Sequence, residues 1–134
     1  MKIQHVTVEY VNQVWPQVEQ FINAALAYQD DYIIEHAQLY VANGTWQLFV
    51  AVGDDGALKG AATVQFYNRP TDRVAFVVTM GGSLITGHDS YKQFTDLLKY
   101  FGATYIECAS RESATRLWQR FGLKEKYRIA GAKL

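Results

Sequence analysis

Cysteine occurs once in these 134 residues, at Cys108, and proline only twice. One thiol cannot close an internal disulfide, so nothing points to an oxidising compartment or a disulfide-stapled scaffold. Within an apolar stretch that cysteine reads as a small core residue, not a nucleophile. No segment is long and apolar enough to span a bilayer. Met1-Lys2-Ile3-Gln4-His5 lacks the apolar run of a signal peptide. Neither sign of charge prevails, since Lys plus Arg and Asp plus Glu number 13 each. A neutral balance gives no overall field to hold nucleic acid or an anionic membrane. The chain also lacks a catalytic triad, a paired-carboxylate motif, a nucleotide loop and any Cys/His set with metal-ligand spacing. His5 and His36 stand without partners. These absences lead to the expectation of a cytoplasmic protein.

What is present is apolar material: 49% of residues, with 14% aromatic. This suffices for one domain, residues 1–134, with one packed interior. Residues 3–10 alternate and predict a first strand. Pro16 suits a first helical turn, and Val18, Phe21, Ile22 and Ala25 then recur at helical spacing. Asp30 or Asp31 is a candidate cap for a second helix reaching about Val41, which Asn43-Gly44 ends. Strand formers fill 46–52, a Gly53-Asp54-Asp55-Gly56 turn predicts a tight hairpin, and residues 58–67 return. After a turn at Arg69-Pro70-Thr71-Asp72, residues 73–80 form a run apolar enough for a sheet centre. Residues 88–101 read as an amphipathic helix, 104–108 as a strand, 112–121 as a helix and 124–134 as a last strand. The order is β-α-α-β-β-β-α-β-α-β, a mixed, mostly antiparallel α/β (α+β) sheet flanked by helices.

One segment is more specific. Arg111, Ala114, Leu117-Trp118, Arg120 and Gly122-Leu123 keep the spacing of the C-terminal helix of the GNAT superfamily, the acyl-CoA-dependent N-acyltransferases. That segment resembles the family's Asn, Ala, Leu-Tyr, basic residue, Gly-Phe pattern. The element order resembles the family over nearly the whole chain, and Gly60 falls where the family often has glycine. The resemblance implies a GNAT-like fold and, in an active member, acetyl-CoA as cofactor. Trp118 stands where the family's tyrosine often acts as general acid, and an indole has no acidic proton to give.

The family's coenzyme loop carries a basic residue followed by spaced glycines, whose backbone N–H groups at a helix N-terminus wrap a diphosphate. The corresponding loop here is Met80-Gly81-Gly82-Ser83-Leu84-Ile85-Thr86-Gly87-His88-Asp89. It has no basic residue, its glycines are differently spaced, and Asp89 adds a repulsive charge. Read as a divergent coenzyme site, it would use Thr79, Met80, Gly81, Gly82, Thr86, Gly87 and His88. Read blandly, it is a strand-to-helix connection. Glu107 is a candidate general base, or equally a solvated edge carboxylate. Tyr127 is a candidate acid in place of the missing tyrosine, or a packing aromatic. The basic cluster Arg111, Arg116, Arg120, Lys124 and Lys126 reads as a solvated face.

A narrower resemblance, to the small internal virion protein of short-tailed phages, rests on Phe76-Val77-Val78-Thr79 and on Gly87, Lys92, Phe94, Leu97 and Leu98. It implies a scaffold that has lost the coenzyme and works through virion or host protein partners, in the host cytoplasm or packaged in a virion. Two expectations therefore stand. One is a non-catalytic protein-interaction module with no cofactor and no nucleic acid. The other is a divergent N-acetyltransferase that uses acetyl-CoA on an unknown amine. Oligomeric state stays open.

Overall fold

A computed structural model describes residues 1–134. The elements in chain order are β1 (Lys2–Val6), α1 (Val8–Leu26), α2 (Ile34–Ala42), β2 (Gln47–Val52), β3 (Leu58–Asn68), β4 (Arg73–Gly82), α3 (His88–Tyr100), β5 (Tyr105–Cys108) and α4 (Glu112–Gln119). The five strands lie side by side in sequence order. All neighbours are antiparallel except β4 and β5, which the α3 crossover makes parallel. The mixed, mostly antiparallel sheet flanked by helices stands as expected.

Helices cover both sheet faces, which is why the central strands are nearly continuous apolar runs. Along β2, Leu48 and Val50 join Val11, Trp15, Val18 and Ile22 of α1 in one core layer. Phe49 and Ala51 turn the other way, towards Phe94 and Leu98 of α3.

Four boundaries differ from expectation. The first strand ends at Val6, and Thr7, in extended conformation, opens α1. The apolar stripe Val11, Trp15, Val18, Ile22 and Leu26 pulls the helix back to Val8, so Pro16 lies inside it rather than in its first turn. Neither Asp30 nor Asp31 caps α2. The Gln29 side chain organises that connection instead, accepting the Asp31 and Tyr32 N–H groups and donating to the Leu26 and Tyr32 carbonyls. The β2–β3 connection is a wider loop closed by Gly53 N–H on the Ala57 carbonyl, not a two-residue turn. Finally, residues 124–134 form no strand. No backbone hydrogen bond joins them to β5, and Arg128 pairs with Glu125 within the segment itself.

Candidate functional site: the β4–β5 gap and the loop into α3

β4 outruns its parallel neighbour. Pairing with β5 begins at Val74 with Tyr105 and ends at Val77 with Cys108. The next residue, Val78, is the extra residue of a bulge: Val77 faces Val64 on β3, but Thr79 faces Thr63. A bulge bends and twists its strand. Residues 78–82 therefore run on with β3 on one side and no strand on the other. The edge of β4 beyond Val77 thus has no strand partner and could accept an extended group as an added strand.

The side chains of that edge are committed elsewhere. Thr79 is buried and shares a 2.7 Å hydrogen bond with Thr63. Met80 packs against the α3-side core. A Cβ on Gly81 would collide with the Phe21 backbone, so bare backbone here lets α1 sit directly on the sheet. Gly82 has φ +70°, and a Cβ there would lie 2.7 Å from the Phe21 ring and 2.5 Å from the Lys59 carbonyl. These glycines serve helix packing and strand termination. Gly81 and Gly82 thus belong to β4 itself.

The loop into α3 is closed on itself. Leu84 is fully buried in the α3-side core. Ser90 is also buried, and its Oγ accepts the Thr86 N–H at 2.8 Å and the Gly87 N–H at 3.1 Å while donating to the Gly87 carbonyl. Thr86 precedes α3 and Gly87 is its N-cap, so Ser90 holds the two amides at the entry to the helix and ties the loop to the first turn. Residues 78–91 contain no Lys or Arg. The nearest lysine along α3, Lys92, is paired with Asp96 at 2.6 Å. The donor set does not fit a diphosphate. His88 is exposed, and its ring meets Phe121 edge-on at 5.3 Å. Tyr91 stacks on the same Phe121 at 4.6 Å, bracing the start of α3 against the end of α4.

The acid–base candidates lie at another level. Glu107 sits opposite Phe76, on the face away from Ile106 and Cys108. It accepts the Tyr67 hydroxyl at 2.5 Å and pairs with Arg69 at 3.1 Å and Lys126 at 3.5 Å. Burial pushes its carboxyl up, but the Tyr67 and Arg69 hydrogen bonds and the two cations outweigh this and hold it below the usual carboxylate range. Hydrogen bonding to Glu107, with burial, raises the Tyr67 phenol. A carboxylate so stabilised is a weak base, and its oxygens are in use. Tyr127 is 65% exposed in the irregular tail and makes no hydrogen bond to Glu107. Trp118 is the one buried side chain of α4. Burial raises the Cys108 thiol to about 11, as befits a packing residue.

Thr79, Met80, Gly81 and Gly82 are thus brought together along one strand end, and Thr86, Gly87 and His88 at the helix start. Glu107 and Tyr127 join neither group. The sequence offers Asp89 or Ser90 as the cap of α3, and Ser90 serves, not as the N-cap, which is Gly87, but from inside the first turn; Tyr67 and Arg69 as partners of Glu107 and the Tyr91–Phe121 stack were missed. Ser90 had a signal, since a serine three residues after Gly87 at a helix start can reach back to the loop amides. Two shallow grooves lie away from the gap. One of about 260 Å³ runs between α3 and β5 past Leu98, Lys99 and Ile106, and one of about 350 Å³ lies by His5, Tyr10 and Val14.

No family model matches the sequence, and no curated protein does. Solved structures do resemble the fold. A ribosomal-protein-alanine N-acetyltransferase from Brucella melitensis biovar Abortus is 11% identical with a TM-score of 0.71, with 100% of each chain covered. An aminoglycoside acetyltransferase from an uncultured soil metagenomic sample, solved with sisomicin, is 12% identical with a TM-score of 0.68, covering 99% of this chain and 94% of that one. A probable acetyltransferase is 13% identical with a TM-score of 0.67, covering 100% and 97%. The fold is that of the GNAT acetyltransferases. No helix is long and apolar enough to cross a membrane.

Proposed function

We propose that this chain is a GNAT-like protein that has given up coenzyme chemistry and acts through protein contacts, as a phage virion-associated or host-directed interaction module. The observation that carries the reading is a loop into α3 with no Lys or Arg over residues 78–91, two of whose amides, Thr86 and Gly87, are held by the Ser90 hydroxyl. The missing basic residue, the engaged Glu107 and the indole at Trp118 support it. The resemblance of residues 76–79 and 87–98 to the phage internal virion protein supports the virion setting. Exposed aromatic and basic side chains at the C-terminal end support a role through protein contacts. In this reading its place is the host cytoplasm or the virion, with protein rather than nucleic acid as partner.

One observation favours the alternative, an acetyl-CoA-dependent N-acetyltransferase acting on an unknown amine. The edge of β4 beyond Val77 is free, as an acyl-pantetheine arm would require. The protein's part would then be to hold that arm by backbone hydrogen bonds.

The experiment is a thiol-release assay with acetyl-CoA and a panel of polyamines, lysine peptides and peptides with free amino termini. The proposal expects release no faster than without protein. Acceptor-dependent turnover that Trp118 variants or a blocked β4 edge abolish would establish the enzyme instead.

A further inference from the structure

Overall neutrality conceals a division of charge. Residues 111–134 hold seven basic residues against two acidic, Glu112 and Glu125, for a net of +5. The whole chain has 13 of each, so residues 1–110 hold six basic against eleven acidic, a net of −5. The basic end is a surface: every Lys and Arg in it is exposed. It also presents apolar side chains with nothing over them, Tyr127 at 65% and Ile129 at 80% exposure. From Lys124 onward no backbone hydrogen bond holds it. Its tie to the body is Lys126, on Glu107 and over the Tyr105 ring. Eight residues follow Lys126, enough to reach roughly 26 Å when extended.

The α1–α2 connection has the complementary character. Asp30, Asp31 and Glu35 are exposed and take part in no ion pair. Among them lie Tyr28, Ile33 and Leu39, at 65%, 57% and 59% exposure. Within the chain, one basic residue reaches this surface: the Arg111 guanidinium lies 3.8 Å over the Tyr28 ring. Lys124, Arg128 and Lys133 do not.

We infer that the basic, apolar C-terminal segment of one copy docks on the acidic, apolar α1–α2 surface of a second copy of this chain. Charge complementarity chooses the partner. The two surfaces are opposite in sign, alike in mixing charge with exposed aromatic and aliphatic groups, and touch within one molecule through Arg111 over Tyr28, which leaves Lys124, Arg128 and Lys133 unengaged there. Opposed charged surfaces speed encounter and set register, while the apolar groups supply the area that leaves water. The Glu125–Arg128 pair that such docking would replace is exposed and costs little to break. The inference names a partner for the contact role proposed above and rests on that reading for its purpose alone. Coenzyme assays test the one and association tests the other.

The experiment is sedimentation velocity on the full chain across concentration, at low and at high salt. The expected result is concentration-dependent association that salt weakens. Lys124→Glu with Arg128→Glu and Lys133→Glu raises the dissociation constant at least about tenfold. Asp30→Lys with Asp31→Lys and Glu35→Lys does the same, with unchanged circular dichroism and melting in both. A chain carrying all six changes has the original net charge and restored complementarity, and it associates again. A wild-type chain that stays single at millimolar concentration in low salt overturns the inference, as does association that either triple variant keeps. Tight binding of a labelled oligonucleotide by a wild-type chain that does not self-associate overturns it too, assigning the basic end to nucleic acid.

Discussion

The Ser90 hydroxyl lies 2.8 Å from the Thr86 amide nitrogen and fills the mouth of the loop into α3. Three further contacts, from the Gly87 N–H, to the Gly87 carbonyl and with the Thr86 hydroxyl, make Ser90 a helix-start group that holds the loop from within the first turn. Replacing it with alanine leaves two loop amides without their acceptor. Ser90→Ala is expected to cost about 1 kcal/mol, read from the urea midpoint, in line with loss of a helix cap.

Thr63 and Thr79 test the bulge in the same manner. Their hydroxyls are buried and bond each other at 2.7 Å. Thr79→Val strands its partner and is expected to cost about 1–3 kcal/mol. Thr63→Val with Thr79→Val removes both hydroxyls together and is expected to cost less than either single change predicts by addition. A double-mutant cycle in denaturant measures the difference.

Gly81 sets how closely α1 approaches the sheet. A methyl group there meets the Phe21 backbone, which cannot swing aside as a side chain would. Gly81→Ala is expected to destabilise the fold by about 3 kcal/mol or more, seen as a fall in melting temperature and soluble yield.

The Glu107 cluster gives the protein an acid-sensitive element. The folded carboxyl lies below its unfolded value, so its contribution is complete above the ordinary glutamate range and fades as pH falls through the folded value. Melting temperature measured from neutral to acid pH is expected to fall more steeply for the wild type than for Glu107→Gln. Tyr67→Phe, which removes one charge-assisted bond, is expected to cost about 1–2 kcal/mol at neutral pH and little in strong acid.

Much of this architecture could be read from the chain because its helices and central strands carry unambiguous periods. Val18 with Ile22 and Phe94 with Leu98 mark helix faces, and the near-unbroken apolar run of β4 marks a sheet centre, whereas the first turns of α1 were hidden by the alternation of residues 3–10. The last segment misled for the opposite reason. Lys124 to Ile129 alternates like a strand, but alternation without buried neighbours supplies no reason to pair, and every residue from Lys124 to Ile129 is exposed. The absence of a basic residue in the coenzyme loop was visible in the residues. Its closure was not, because it depends on where the Ser90 hydroxyl points. Glu107 was visible as a carboxylate on the right strand. That Tyr67 from β3, Arg69 from the following turn and Lys126 from the tail converge on it is a long-range fact that no local spacing carries.

A loop without a cation, two of whose amides Ser90 already holds, is expected not to bind the coenzyme, and calorimetric titration of the purified chain with acetyl-CoA, backed by melting with and without it, tests this most directly. A ligand that binds the native state at 100 times its dissociation constant stabilises by about 2.7 kcal/mol, which moves the melting temperature by several degrees. The account predicts no saturable heat and no shift at about 1 mM coenzyme. A saturable, stoichiometric binding curve that displaces the Ser90 hydroxyl from the Thr86 and Gly87 amides would contradict it.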